Sequence, residues 1–287
     1  MEGMPRLDTR LSETYLRFAE LEAKGNCKIY EYLCTGVARD NELLSLIEAL
    51  PLAKRQPNLL LAAARWHGAP LESYVDFSEW TVRNWGQVSA TMRTRSTQTN
   101  EAARMDTIAP VLAKLPQPLA LLEVGASAGL CLYPQAPEIQ VAWRAGLDLN
   151  PLDVTNDDHM RWLECLVWPS QPHRLARLHA AIQIARRHPP YLVQGDLNHD
   201  LESLIAQAPS DATLVVFHTA VLAYVSEPGR AEFARRMSSL AGHWISNEAP
   251  GVLHHIEMPR GMANVLALDG TPVAFTGGHG QAFQWLV

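Results

Sequence analysis

The sequence predicts a mixed α/β fold, in which a doubly wound, mainly parallel sheet follows an all-helical N-terminal region and precedes a C-terminal antiparallel hairpin. The first hundred residues carry apolar side chains at helical spacing and few β-branched runs. After Pro118, short apolar runs alternate with amphipathic stretches, as in parallel strands joined by helices. Near the end, Asp269-Gly270 separates two apolar runs and favours a hairpin turn. We therefore expect a helical region, 1–95, that packs over the sheet of an α/β domain, 96–287.

Each helix of the N-terminal region needs a start signal. Asp40, Asn58 and Ser78 are predicted N-caps, because short polar side chains accept hydrogen bonds from the first free amides of a helix. A further helix is expected over Asn100–Lys114, before two prolines break the chain.

Strands and helices alternate through the α/β domain. Strands are predicted at Leu119–Val124, Val141–Leu147, Tyr191–Gln194, Thr213–Phe217 and His243–Ser246. Helices are predicted between them, at about Asp157–Val167, His173–Arg187, Leu201–Ala208 and Arg230–Leu240. The hairpin pairs Asn264–Leu268 with Pro272–Phe275, and the last strand is Phe283–Val287.

Composition excludes several classes of protein. Hydrophobic residues make up 47 % and charged residues 19 %, as in an ordinary globular protein. The net charge of −6 provides no field for nucleic acid or an anionic membrane, so we expect neither as a partner. The four cysteines form no CxxC pair, and no apolar stretch could serve as a signal core or span a bilayer. We expect a cytoplasmic protein without a metal site, and the sequence leaves the oligomeric state open.

A glycine-rich turn follows the first predicted strand. Small residues let a backbone turn sharply and approach a ligand closely, and amides at a following helix start can hold an anion. Methyltransferases of the Rossmann-like class have an acid and then three small residues at alternating positions at this point. The corresponding residues are Glu123, Gly125, Ser127 and Gly129. We therefore predict an S-adenosylmethionine site.

Two later acids fit the same ligand. Asp148 ends the second strand, close to the ~20-residue spacing of an acid that binds ribose hydroxyls in Rossmann folds. Asp196 follows the third strand, where a carboxylate can accept a hydrogen bond from an adenine amino group.

The same turn allows three alternatives. Residues 125–129 also match G-x-S-x-G, the nucleophile elbow of serine hydrolases, with Ser127, an acid such as Asp211 or Asp269, and His279 as the triad. The elbow normally follows several strands, however, and helical sequence precedes this one. An NAD site requires G-x-G-x-x-G, which Ser127 breaks. A tight turn with a purely structural role is the fourth possibility.

Other candidate site residues follow from the rule that ligands bind at the carboxyl ends of parallel strands. His218 and Glu248 follow the ends of two predicted strands and are candidates for a catalytic base, or else for a packed histidine and a loop acid. Candidates for substrate binding are Arg95, Asn100, Glu101 and Asn247, with helix capping or surface exposure as the alternative.

Blocks along the chain resemble the bacterial family catalogued as domain of unknown function 2332. They are RSTQTNEAAR, LLEVGASAGL, GLDLNPLDV, RWLECLVWP, DATLVVFHTAVLAYV, WISNEAPG and LALDGTPVAF. They span about Arg93 to the C-terminus in the family's order. The resemblance implies a Rossmann-like, methyltransferase-like core and names no reaction. One departure is the stretch Leu130–Arg144, which is shorter than the family's and contains Pro134 and Pro137.

These observations lead to one expected function. We expect S-adenosylmethionine-dependent methyl transfer to a small molecule. The alternatives are a serine hydrolase using Ser127 and a non-catalytic protein that binds a nucleotide or metabolite.

Overall fold

The computed structural model describes residues 9–98 and 100–286. The chain forms two compact units. The first, called the helical unit, is made of Met1–Thr99 with Asp158–Ala176, and the second, called the sheet unit, is made of Asn100–Asp157 with Arg177–Val287. The boundary expected at residue 95, and the packing of the helical region over the sheet, stay predictions. Within the described ranges, no helix has the length and apolarity needed to cross a membrane.

Eleven helices are found in the described residues. They are α1 Thr9–Phe18, α2 Lys28–Val37, α3 Asn41–Glu48, α4 Pro57–Trp66, α5 Tyr74–Arg83, α6 Trp85–Thr94, α7 Arg104–Leu112, α8 Asp157–Leu166, α9 Pro172–Arg187, α10 Leu201–Ile205 and α11 Glu227–Met237. A π-helical stretch, Ala19–Ala23, continues α1.

Helix starts agree with the sequence in one case and differ in two. Asp40 caps α3 by accepting a hydrogen bond from the Leu43 amide at 3.0 Å. Asn58 lies inside α4, because Pro57 occupies the first turn, where its missing N–H costs nothing. Ser73, not Ser78, caps α5, and the Ser78 hydroxyl donates to Asp40 Oδ2 at 2.5 Å.

Eight strands form one sheet. They are β1 Leu119–Val124, β2 Val141–Asp148, β3 Tyr191–Gln194, β4 Thr213–Thr219, β5 His243–Glu248, β6 Asn264–Leu268, β7 Thr271–Thr276 and β8 Phe283–Trp285. The spatial order is β3-β2-β1-β4-β5-β6-β7-β8. Neighbours from β3 to β5 are parallel, and β6, β7 and β8 continue the sheet antiparallel. The protein is thus a mixed α/β fold with a mainly parallel sheet.

Apolar clusters cover both faces of this sheet. Alternate residues of β1 point to opposite faces, as the strand period of two requires. Leu119 and Leu121 pack with Ile108 and Leu112 of α7. On the other face, Leu122 packs with Leu204 of α10 and Phe233 of α11. The odd-numbered face also carries Glu123, which places this acid on the α7 side.

The connection from β1 to β2 differs from the expected helix start. The structure has only a three-residue 3₁₀ turn, Leu130–Leu132, after the glycine turn. Pro134 and Pro137 prevent a longer helix, because each lacks an N–H donor. A cleft of about 150 Å³ opens between this connection, the start of α7 and α9, with Leu130, Ala103 and Ala181 among its lining.

Candidate functional site

The glycine turn leaves β1 at the carboxyl edge of the sheet. Gly125, Ser127 and Gly129 all have positive φ, at 70°, 50° and 68°. Glycine adopts such angles at little cost, whereas serine does not. A Cβ on Gly125 would lie 2.5 Å from Val221 Cγ2, and one on Gly129 would lie 2.8 Å from Pro190 Cγ. Both glycines are therefore required by the backbone and by the packing of the chain's own side chains.

Every amide of the turn already donates a hydrogen bond within the chain. Those of Gly125 and Ala126 donate to the Leu147 carbonyl, and that of Gly129 to the Ala126 carbonyl. The Ser127 amide donates to Asp148 Oδ2 at 2.7 Å, and the Ala128 amide to Asn100 Oδ1 at 3.2 Å. The turn thus has no free N–H for a phosphate, and no α-helix dipole follows it.

Asp148 ends β2 beside this turn. Its second oxygen, Oδ1, accepts from the Asn150 amide at 2.7 Å. The side chain is partly exposed, unlike the buried Leu147 before it. A carboxylate has about four lone-pair positions, so two backbone bonds leave room for further donors. Asp148 can therefore accept hydrogen bonds from a ligand at the carboxyl edge.

Glu123 lies next to the end of β1 and is 4 % exposed. Its Oε2 has no hydrogen-bond partner among the described residues. Burial, reinforced by the charge of Asp148, raises the pKa of Glu123 well above its ordinary value, and Arg104 only partly opposes this. The environment therefore favours a protonated, neutral carboxyl with an unused oxygen.

Asp196 lies one residue beyond Gly195, whose amide bonds the carbonyl of Asp148. Asp196 Oδ1 accepts from the Asn198 amide at 2.8 Å and lies 3.0 Å from His199 Nδ1. Its side chain is 47 % exposed. Asp196 thus shares the carboxyl edge with Asp148 and remains accessible.

Asn100 and Glu101 belong to the sheet unit and contact other residues of that unit. The Asn100 amide group bridges the turn, because Nδ2 donates to Ser127 Oγ and Oδ1 accepts from Ala128. Asn100 therefore does not cap a helix, and α7 begins at Arg104 instead of at residue 100. Glu101 is buried and forms an ion pair with Arg177 at 3.2 Å.

His218 and Glu248 form a buried pair. Trp244 Nε1 donates to His218 Nε2 at 3.1 Å, and an indole N–H can only donate. His218 Nδ1 must then carry the proton and donate it to Glu248 Oε1 at 2.7 Å. With both ring nitrogens occupied and the side chain fully buried, His218 has no lone pair for a substrate.

Glu248 also holds the backbone after β4. Its Oε1 accepts from the amides of Val221 and Leu222 at 2.9 and 3.1 Å. Burial by itself would raise the pKa of Glu248, but the hydrogen bonds from His218 and these amides outweigh it and lower that pKa. The catalytic roles predicted for both residues stay predictions that this geometry does not support.

Two of the predicted substrate-binding residues are engaged elsewhere. Asn247 is fully buried, and its Oδ1 accepts from the Thr276 hydroxyl at 2.8 Å. Arg95 belongs to the helical unit, where it forms an ion pair with Asp158 and stacks over Trp66 at 4.3 Å. Substrate binding by these two residues also stays a prediction.

The proposed hydrolase triad is not brought together. Ser127 is buried, and its hydroxyl accepts from Asn100. Asp211 precedes β4, and Asp269 bonds the amide of Trp244 near the start of β5. Both acids therefore lie at the amino edge of the sheet, opposite Ser127. No group of three possible metal ligands occurs in the parts of the chain that the structure describes.

Arg104 is a site residue that the sequence analysis missed. It lies in the first turn of α7, and its Nη1 donates to the Thr219 carbonyl and hydroxyl at 3.2 and 3.4 Å. Its Nε donates to the Gly278 carbonyl at 3.1 Å. This places a guanidinium at the carboxyl end of β4, beside Glu123. No local motif marks it, because its partners are 115 and 174 residues away.

Comparison with known proteins gives one family and distant structural neighbours. The chain is similar to a protein from Nostoc punctiforme PCC 73102 described as a candidate O-methyltransferase, with 16 % identity and a TM-score of 0.31. The match covers 77 % of this chain and 55 % of that one. This chain thus spans little more than half of its neighbour's length, and the TM-score is too low to assign a shared fold. No curated protein matches the sequence.

The family match is extensive. The model of the family described as "Uncharacterized protein conserved in bacteria (DUF2332)" matches residues 12–70, 67–136 and 133–285. These segments cover the helical unit, the glycine turn and the whole sheet, whereas the sequence blocks predicted the match only from about Arg93 onward. The chain therefore belongs to this bacterial family, domain of unknown function 2332.

Proposed function

We propose that the protein binds S-adenosylmethionine at the carboxyl edge of β1 and β2 and transfers its methyl group to a small molecule. The observation that carries the proposal is the Asp148 carboxylate, which lies against the glycine turn with capacity for further donors. In a sheet of order 3-2-1-4-5, this edge is where doubly wound folds hold a nucleoside.

The residues present fit this ligand better than a dinucleotide. A pyrophosphate needs free amides or a helix N-terminus, and this turn offers neither. S-Adenosylmethionine has no phosphate, and its ribose needs only acceptors such as Asp148. The unpartnered Oε2 of Glu123 is a further hydrogen-bonding atom at the same edge. The occupied amides of the turn favour a phosphate-free nucleoside over NAD.

The chain's own residues would act mainly by positioning. When bound, S-adenosylmethionine supplies an electrophilic methyl group. Asp148 would hold the ribose, Asp196 the adenine amino group, and Gly125–Gly129 the backbone surface against which the ligand lies. Such an in-line transfer gains most from alignment and exclusion of water. We assign no catalytic base, because His218 and Glu248 already bond each other.

Calorimetry tests the proposal. S-Adenosylmethionine and S-adenosylhomocysteine are expected to bind the wild-type protein, and NAD is not. Asp148→Asn is expected to weaken binding about tenfold or more, since a hydrogen bond to a charged group contributes about 1.5–3 kcal/mol.

Glu138→Gln is the matched control, because it removes an exposed carboxylate from the same unit. Thermal unfolding of each variant separates loss of binding from loss of fold. Absence of binding at millimolar S-adenosylmethionine and S-adenosylhomocysteine would refute the proposal.

A further inference from the structure

The guanidinium of Arg104 lies where the order of the strands reverses. Connections from β1 lead outward through β2 and β3, whereas those from β4 lead outward through β5. The crevice at such a switch point, beyond the carboxyl ends of the strands, is the usual ligand position in open α/β sheets. Thr219 ends β4 at this crevice and is one anchor of Arg104.

The anchors of Arg104 fix its direction without cancelling its charge. Its bonds go to two carbonyls and one hydroxyl, which are neutral acceptors. In the described part of the chain, no hydrogen bond uses Nη2 and no carboxylate forms an ion pair with this residue. An arginine presents five donors in a rigid fork, so Nη2 can meet an oxyanion.

Glu123, an acid close to Arg104, does not take the role of counter-ion. Glu123 interacts with Arg104 electrostatically, but its pKa is raised well above the ordinary value by burial and by Asp148. A protonated Glu123 leaves the guanidinium uncompensated. A partly buried cation without a partner is costly, and an anionic ligand group removes that cost.

We propose that Arg104 binds the carboxylate of an amino-acid group on the ligand, through its Nη2 edge at the switch point between β1 and β4. This inference rests on the proposed function, and it identifies what replaces the missing anion site of the turn. Every amide of Gly125–Gly129 is occupied, so the turn itself offers no donor to a ligand carboxylate, and a side chain takes that part. Arg104 is already oriented for that contact, and a bidentate or charge-assisted bond suits it.

A pair of ligands that differ only in the carboxylate tests the inference. S-Adenosylhomocysteine and its decarboxylated analogue, 5′-S-(3-aminopropyl)-5′-thioadenosine, share the adenosine, the thioether and the amine. We expect the wild-type protein to bind the first about 10- to 100-fold more tightly, which is the range of a hydrogen-bonded charge pair. Arg104→Gln is expected to abolish this preference by weakening the first ligand and leaving the second unchanged or tighter.

Arg187→Gln, which removes an exposed positive charge from the same unit, is the matched control and should keep the preference. Equal affinity of both ligands for the wild-type protein would overturn the role of Arg104 and leave the proposed function standing. So would an unchanged preference in a folded Arg104→Gln variant. If neither ligand binds, the proposed function itself fails. The wild-type comparison is decisive even if the variant does not fold.

Discussion

The turn after β1 holds its shape through bonds to its neighbours, residue by residue. Asp148 fixes the Ser127 amide, and Asn100 fixes both the Ser127 hydroxyl and the Ala128 amide. These contacts keep Ser127 at positive φ, a conformation that is unfavourable for serine. A preorganised turn of this kind presents a surface to a ligand but has no free amide that could bind a phosphate.

Glu123 leads to a prediction of how the free energy of unfolding depends on pH. Its raised pKa means that the folded protein holds this proton more tightly than the unfolded chain. That contribution to stability is complete below the ordinary pKa of 4.5 and is lost as pH rises through the folded pKa. Glu123→Gln mimics the neutral acid at all pH values. Its free energy of unfolding should therefore rise relative to wild type by up to about 1.4 kcal/mol per pH unit.

Urea unfolding of both proteins between pH 4.5 and 8 measures this difference. Glu138→Gln serves again as the control for loss of an exposed carboxylate. A difference between Glu123→Gln and wild type that does not change with pH would show that Glu123 is not held as a neutral acid.

The segment after β4 is the element that connects the buried pair to the turn. Glu248 accepts from the amides of Val221 and Leu222, and Val221 lies against Gly125. Ala220 adopts a positive φ of 54° to make this arrangement possible. The segment therefore depends on a buried carboxylate for its position, and the turn depends in part on the segment.

Glu248→Gln is expected to lower the free energy of unfolding by about 1.5–3 kcal/mol, because an amide oxygen replaces a charged acceptor of three donors. The lowered pKa of Glu248 sets the pH dependence. Its contribution is present above the ordinary pKa and is lost as pH falls through the folded pKa. The difference between variant and wild type should thus narrow in acid.

Chemical denaturation at neutral and acidic pH measures the effect of Glu248→Gln, with the exposed Glu257→Gln as control. A wild-type stability in the Glu248 variant would contradict the assigned role of that carboxylate.

Elements differ in how far the sequence determines them. The bounds of β1, β3 and β6 agree with prediction, because apolar runs between prolines, glycines and turn residues leave few alternatives. Pro134 and Pro137 argued against a helix between β1 and β2, but the glycine turn predicted a helix start there. The structure has only a 3₁₀ turn. The cap predicted at Ser78 was wrong because α5 begins earlier, after its N-cap Ser73, and Ser78 lies inside the helix.

The sequence predicted part of the candidate site. The glycine turn follows β1 and Asp148 ends the neighbouring parallel strand β2, so both lie at the carboxyl edge of the sheet. Arg104 and the partnership of His218 with Trp244 could not be predicted, since both depend on contacts between residues that are remote in sequence. Long-range side-chain bonds of this kind leave no periodic pattern in a single sequence.

At the scale of the whole molecule, a helical unit with its own core accompanies a sheet unit that contains the whole candidate site. The helical core runs from Leu11 to Met92 and takes in Trp162. Every residue proposed to touch the ligand, from Arg104 to Asp196, belongs to the sheet unit.

A crystal structure of the protein with S-adenosylhomocysteine tests the central claim most directly. We expect the ribose hydroxyls within hydrogen-bond distance of the Asp148 carboxylate, the adenine near Asp196, and the amino-acid carboxylate toward Arg104. Ligand density elsewhere on the molecule, with the carboxyl edge of β1 and β2 unoccupied, would contradict the proposed site.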